Sequence, residues 1–215
     1  MKKFIFKILT WFSLRCRLYY VWSKVYRWLY ERGHPRLPPF DDYGSIEILT
    51  GRMKWRRDTW LMLWDAVSAP EATYTRFCTG EDAGDCDDIA LWAINRLHDI
   101  AYRNGRTLRS PERAPFISCD LASFGLLSVP WIKDGKIGGH NVGVFRHRVG
   151  DGWEWCHVSN WYGGQIKFGF SSLPAVVEDV LSGEYGLYTP KAESLGWAVA
   201  DLNLRLREYH WKHRI

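Results

Sequence analysis

The stretch G-D-C-D-D-I-A-L-W, residues 84–92, sets Cys86 among Asp85, Asp87 and Asp88 at the head of an apolar run. Asp85 is a good N-cap, and Asp88 three residues on forms a short variant of the capping box. Ile89, Trp92, Ala93, Leu97 and Ile100 recur at helical spacing, and Asn104-Gly105 supplies a stop. The spacing therefore predicts a helix whose first turn carries Cys86. Unpaired backbone N–H groups and the positive end of the helix dipole favour a thiolate there. The flanking carboxylates oppose it.

A thiolate nucleophile needs a base, and the base needs an orienter. His140 opens an apolar stretch after K-I-G-G, and a return stretch ends at Asn160. A hairpin turning near 150–152 brings the two together. With an odd-numbered loop and Gly152 in the left-handed region, they share a face. The expected constellation is Cys86 as nucleophile, His140 as general base and acid, and Asn160 as orienter. His157 falls on the opposite face from Asn160 and reads as a strand histidine. His147 lies near the turn, and His34, His98, His210 and His213 have no sequence reason to meet Cys86. Cys78, Cys119 and Cys156 lack a helix-start setting and read as small buried residues. No G-x-S-x-G is present for a serine nucleophile.

These residues need elements to hold them. Strands are predicted at 115–122, 125–132, 140–148, 153–159 and 165–170, with helices near 172–182 and 192–209 and a helical or turn segment near 57–67. A nucleophile helix followed by a run of antiparallel strands is an α+β fold. Residues 1–32 carry eight Lys/Arg against Glu31 alone, a net +7, so residues 33–215 total −2 within the overall +5. This N-terminal segment reads as a basic aromatic helix with Leu14, Leu18, Val21, Val25, Trp28 and Leu29 on one face. Arg17, Lys24, Arg27 and Glu31 fall on another. It lacks a signal-peptide cleavage site and is too charged to span a bilayer. It suits packing on the domain or on an acidic partner, or an anionic membrane surface. The expected organisation is an appendage over 1–32, a Pro-rich linker over 33–43 and one domain over 44–215. The five cysteines are odd in number and irregularly spaced. They suggest neither a disulfide framework nor a zinc site, and favour a reducing, cytoplasmic setting. No nucleic-acid-binding module accompanies the basic charge.

G-D-C-D-D-I-A, G-H-N-V-G-V-F-R and H-V-S-N-W, with the lead from Trp55 to Cys86, resemble the transglutaminase-like cysteine peptidases of bacteria and their viruses. The resemblance covers roughly 50–170. It implies a papain-like fold with Cys86, His140 and Asn160 as the triad, Asn160 standing where many members carry Asp. The only glutamine, Gln165, lies downstream, so the second oxyanion donor of papain-like enzymes is missing or replaced. NlpC-type peptidoglycan hydrolases share the H-N-V-G-V-F-like strand, but their nucleophile is usually followed by Ser-Gly. The expected activity is acyl transfer on protein or peptide amides, without metal or organic cofactor. The alternative is a non-catalytic papain-like binding module docked through its basic helix.

Overall fold

The computed structural model describes residues 19–40, 42–55, 66–107, 121–133, 136–183 and 193–211. Most of the segment near 57–67, most of the predicted strand at 115–122, and Cys16 and Cys119 lie outside them.

Residues 19–30 form helix α1. There follow α2 (Tyr43–Arg52), α3 (Pro70–Cys78) and α4 (Cys86–Thr107). The strands come next: β1 (Leu121–Lys133), β2 (Lys136–Val149), β3 (Gly152–Val158) and β4 (Ile166–Phe170). Helix α5 (Leu173–Gly183) and strands β5 (Glu193–Ser194), β6 (Gly196–Asp201) and β7 (Leu206–Trp211) close the chain. The α+β class expected from the sequence is the observed one. The strands pair antiparallel in the order β4-β3-β2-β1-β6-β7, with β5 on β1.

Both faces of the sheet are covered, which is why β2 reads as an apolar run rather than a clean alternation. On one face, Trp92, Ile94 and Leu97 of α4 pack with Leu126, Phe145 and Val158. On the other, Val176, Val177, Val180 and Leu181 of α5 pack with Leu127, Val129, Val142 and Val144. Gly143 lets α4 lie close on β2, since a Cβ there would stand 2.1 Å from Ile94 Cγ2.

One expectation needs correction. The segment 192–209 is not a helix but the β5–β7 strands. Its Ala-Val-Ala run is one short buried strand, ended by Asp201, whose carboxylate accepts from the backbone N–H groups of Asn203 and Arg205 and so sets the turn. For the N-terminal segment, α1 follows the expected alternative of packing on the domain. Tyr20 of α1 is buried in the core beside α4, and the Ser23 hydroxyl accepts from Val67 N–H at 3.0 Å. Arg27 donates to the carbonyls of Val67 and Ser68 at 2.7 and 2.8 Å. Glu31 accepts from Ala69 N–H at 2.6 Å, just before α3. The boundary expected over 33–43 is thus bridged by α1, which docks by its polar stripe. Among the described residues no helix is long and apolar enough to cross a membrane.

Candidate active site

Cys86 is the first residue of α4 and is half-buried. The Asp85 carboxylate accepts from Asp87 N–H at 3.2 Å, the local contact expected of an N-cap aspartate. Gly84 makes this turn possible. Its φ is +137°, and a Cβ on it would stand 2.0 Å from Asp88 Oδ2. The glycine two residues before Cys86 is therefore a steric requirement of the helix start.

The acidic flank is less hostile to a thiolate than its sequence implies. Asp87 is only 1% exposed. Burial, and then the charge of Asp88, push its carboxyl pKa well above the usual range, which favours its neutral form. Asp88 accepts from Ser68 N–H at 2.5 Å, and its other oxygen lies 3.6 Å from Arg76. Arg76 also lies 3.8 Å from Glu31. The 66–69 segment and Arg76 thus compensate the charge of Asp88 beside Cys86, with Arg76 shared between Asp88 and Glu31. None of these partners was singled out in the sequence.

Asn141 of β2 donates its side-chain N–H to Cys86 Sγ at 3.9 Å. Asn141 is the ladder partner of Ser128, whose hydroxyl lies 3.1 Å from the Tyr20 phenol. Tyr20 of α1 therefore borders the same site. The β2–β3 register pairs Val149 with Gly152 and Gly143 with Val158. Extended two residues, it sets Asn160 opposite Asn141. The side-chain oxygens of Asn141 and Asn160 are buried without a hydrogen-bond partner among the described residues.

The structure does not bring His140 to Cys86. Neighbouring residues of a strand point to opposite faces. His140 pairs with Val129, and both lie on the α5 face, whereas Asn141 lies on the α4 face. The reason is which residues β2 buries: Val142 and Val144 pack on α5 and Gly143 on α4, so alternation puts His140 on the α5 face. The expected odd-numbered loop is in fact the two-residue loop Gly150-Asp151, with Gly150 at φ +58°. That single residue of register makes Asn141, not His140, the residue opposite Asn160. His140 is buried, and its Nε2 lies 2.8 Å from Ser159 Oγ. Burial first, and His157 second, hold its pKa well below the ordinary value.

Beside it on the α5 face, His157 is fully buried, with Nε2 2.9 Å from Asp179. Lys167 donates to the same carboxylate at 2.9 Å. The His157 hydrogen bond leads in lowering the Asp179 pKa, with Lys167 adding to it. His157 is a buried strand histidine bonded through Nε2, while its Nδ1 has no hydrogen-bond partner among the described residues. Its partner Asp179 carries no sequence signal, because the two meet only when α5 folds back on the sheet.

Among the described residues, two groups have ligand atoms within 4.8 Å of one another: Asp85, Asp87 and Asp88, and His147, Glu154 and Cys156. In the first, burial raises the Asp87 carboxyl pKa. In the second, His147 lies 3.3 Å from Glu154, and burial raises the Cys156 thiol to about 12.

No protein-family model, curated protein or solved structure matches this chain.

Proposed function

We propose that this chain is a thiol-dependent acyl-transfer enzyme, a cysteine peptidase or amidase with a transglutaminase-like, papain-like core. The observation that carries the reading is Cys86 at the first residue of α4, with the Asn141 side chain at its sulfur and Asp88 paired to Ser68 and Arg76 beside it. The thiolate attacks an amide carbonyl, and the S–C bond forms. The oxyanion is met by the backbone N–H of Cys86 at the helix start. The C–N bond then breaks as the leaving amine takes a proton from the imidazolium of His140. Water, deprotonated by the same imidazole, hydrolyses the thioester; an amine in its place gives transfer.

This chemistry requires His140 on the α4 face. In the structure β2 pairs regularly through His140; a one-residue bulge after it would move His140 into the place of Asn141, beside Cys86 and opposite Asn160. Gly138 and Gly139 just ahead give the backbone the freedom to do so. The unpartnered oxygens of Asn141 and Asn160 favour the exchange, because a buried unpaired acceptor costs about 1–3 kcal/mol.

A second reading, the non-catalytic binding module, is favoured by one observation. His140 is already satisfied on the α5 face by Ser159.

Iodoacetamide labelling mapped to peptides across about pH 5–8 separates the two. The enzyme reading expects Cys86 to alkylate selectively at the acidic end, ahead of the exposed Cys78, and His140→Ala to remove that selectivity. If His140→Ala leaves the Cys86 profile unchanged, the binding-module reading replaces it. If Cys86 reacts no faster than Cys78 at any pH, the nucleophile is lost as well.

A further inference from the structure

We infer that the outward face of α1 docks this protein on an anionic membrane surface, independently of any chemistry at Cys86. An amphipathic helix on a soluble domain ordinarily buries its apolar stripe. Helix α1 does the reverse. Ser23 and Arg27, with Glu31 just beyond the helix, recur at helical spacing and turn inward, where they hydrogen-bond to residues 67–69. Tyr20 joins them in the core. Roughly opposite, Val21, Val25, Trp28 and Leu29 recur at i, i+4, i+7 and i+8 and are exposed, Val21 at 60%, Trp28 at 59% and Leu29 at 49%. The exposed stripe is therefore not needed to hold the helix on the domain.

Charge decides the occupant. Glu31, the only acid in residues 1–32, has a side chain just 4% exposed and faces Arg76. Lys24 and Arg32 remain exposed, and the Arg32 guanidinium lies 4.2 Å from the centre of the Trp28 ring. The outward face thus joins aliphatic residues, a tryptophan and basic groups, with no carboxylate of its own segment. That combination fits lipid acyl chains beneath anionic headgroups. The inward bonds preform the helix, so docking need not meet the cost of ordering it. Since no described helix can cross a bilayer, α1 lies along the surface.

The test is flotation of the full chain with vesicles of phosphatidylcholine alone or mixed with phosphatidylserine. Binding is expected to the mixed vesicles and not the neutral ones, and to weaken as salt rises from about 0.1 to 0.5 M. Trp28→Ser with Leu29→Ser is expected to lower binding at least about tenfold, since apolar burial and charge act together at such surfaces. Because those side chains face outward, the thermal midpoint should hold; if the pair fails to fold, Val21→Ser gives the same readout. Equal binding to neutral vesicles overturns the inference, as does wild-type binding by the variants. So does capture by polyglutamate while vesicles are ignored, which identifies an acidic protein as the partner.

Discussion

Replacing Gly84 with alanine tests the construction of the candidate site at its tightest point. Gly84 sits at φ +137°, where side chains are rarely found, and an added Cβ would stand 2.0 Å from Asp88 Oδ2 and 2.7 Å from Asp88 Cβ. Two costs follow. The backbone strain is about 1–3 kcal/mol. Asp88 must also swing away, losing its bond from Ser68 N–H; a hydrogen bond to a charged group contributes about 1.5–3 kcal/mol. Together they amount to roughly 2.5–6 kcal/mol, a large share of the ~5–15 kcal/mol that holds a typical domain folded. Urea unfolding of the full chain reads the loss. Asp88→Ala removes the same bond without the clash and is expected to cost about 1.5–3 kcal/mol. The double variant should cost at least about 1 kcal/mol less than the sum, because the Ser68 bond is lost only once and the carboxylate part of the clash is gone, while the 2.7 Å approach to the residue-88 Cβ remains. Gly84→Ala should also blunt any selective alkylation of Cys86, since the first turn of α4 has to shift. A cost for Gly84→Ala below about 1 kcal/mol, or full additivity with Asp88→Ala, would refute the close approach that sets Cys86 at the helix start.

Removing residues 1–32 is expected to lower the urea midpoint of the remaining chain, because Tyr20 leaves the core and the 67–69 segment loses Ser23, Arg27 and Glu31. Burial of one such aromatic side chain alone contributes about 1.5–3 kcal/mol, and an unchanged midpoint would show that α1 is not part of the core. Stability should also fall in mild acid. His140 has a depressed folded pKa, so the unfolded chain binds the proton first as pH drops below about 6.5, and stability is lost on the way down to the folded value. His140→Gln should make that limb shallower in urea midpoints taken from pH 7.5 to 5 (roughly the window in which histidine charges); the limb does not vanish, since burial also lowers His98. Asp87 acts in the opposite sense. Its raised carboxyl pKa contributes stability below about 3.9 that is lost as pH rises, so Asp87→Asn should be tolerated or stabilising at neutral pH. A large loss in that variant would mean that Asp87 is charged when folded.

The start of α4 was legible in the residues alone because its determinants are local. Asp85 caps with its own side chain, the 3.6-residue period of Ile89, Trp92, Ala93, Leu97 and Ile100 marks the buried stripe, and only glycine fits at position 84. The β2–β3 hairpin was legible for the same reason, from two apolar stretches around a glycine-rich turn. Its register was not. Gly150 and Gly152 can each supply the unusual backbone of a turn, and local preference scarcely separates a two-residue loop from a longer one. The choice depends on which face each strand residue must bury: Val142 and Val144 against α5, Gly143 and Phe145 against α4. That choice carries His140 to the α5 face and Asn141 to Cys86. The orientation of α1 was likewise a tertiary decision. Its apolar stripe predicts burial on hydrophobic grounds, but the 67–69 backbone and Arg76 offer partners for Ser23, Arg27 and Glu31. Buried polar groups must be paired, and those partners exist only once α3 and α4 have come together, so the polar stripe turns inward.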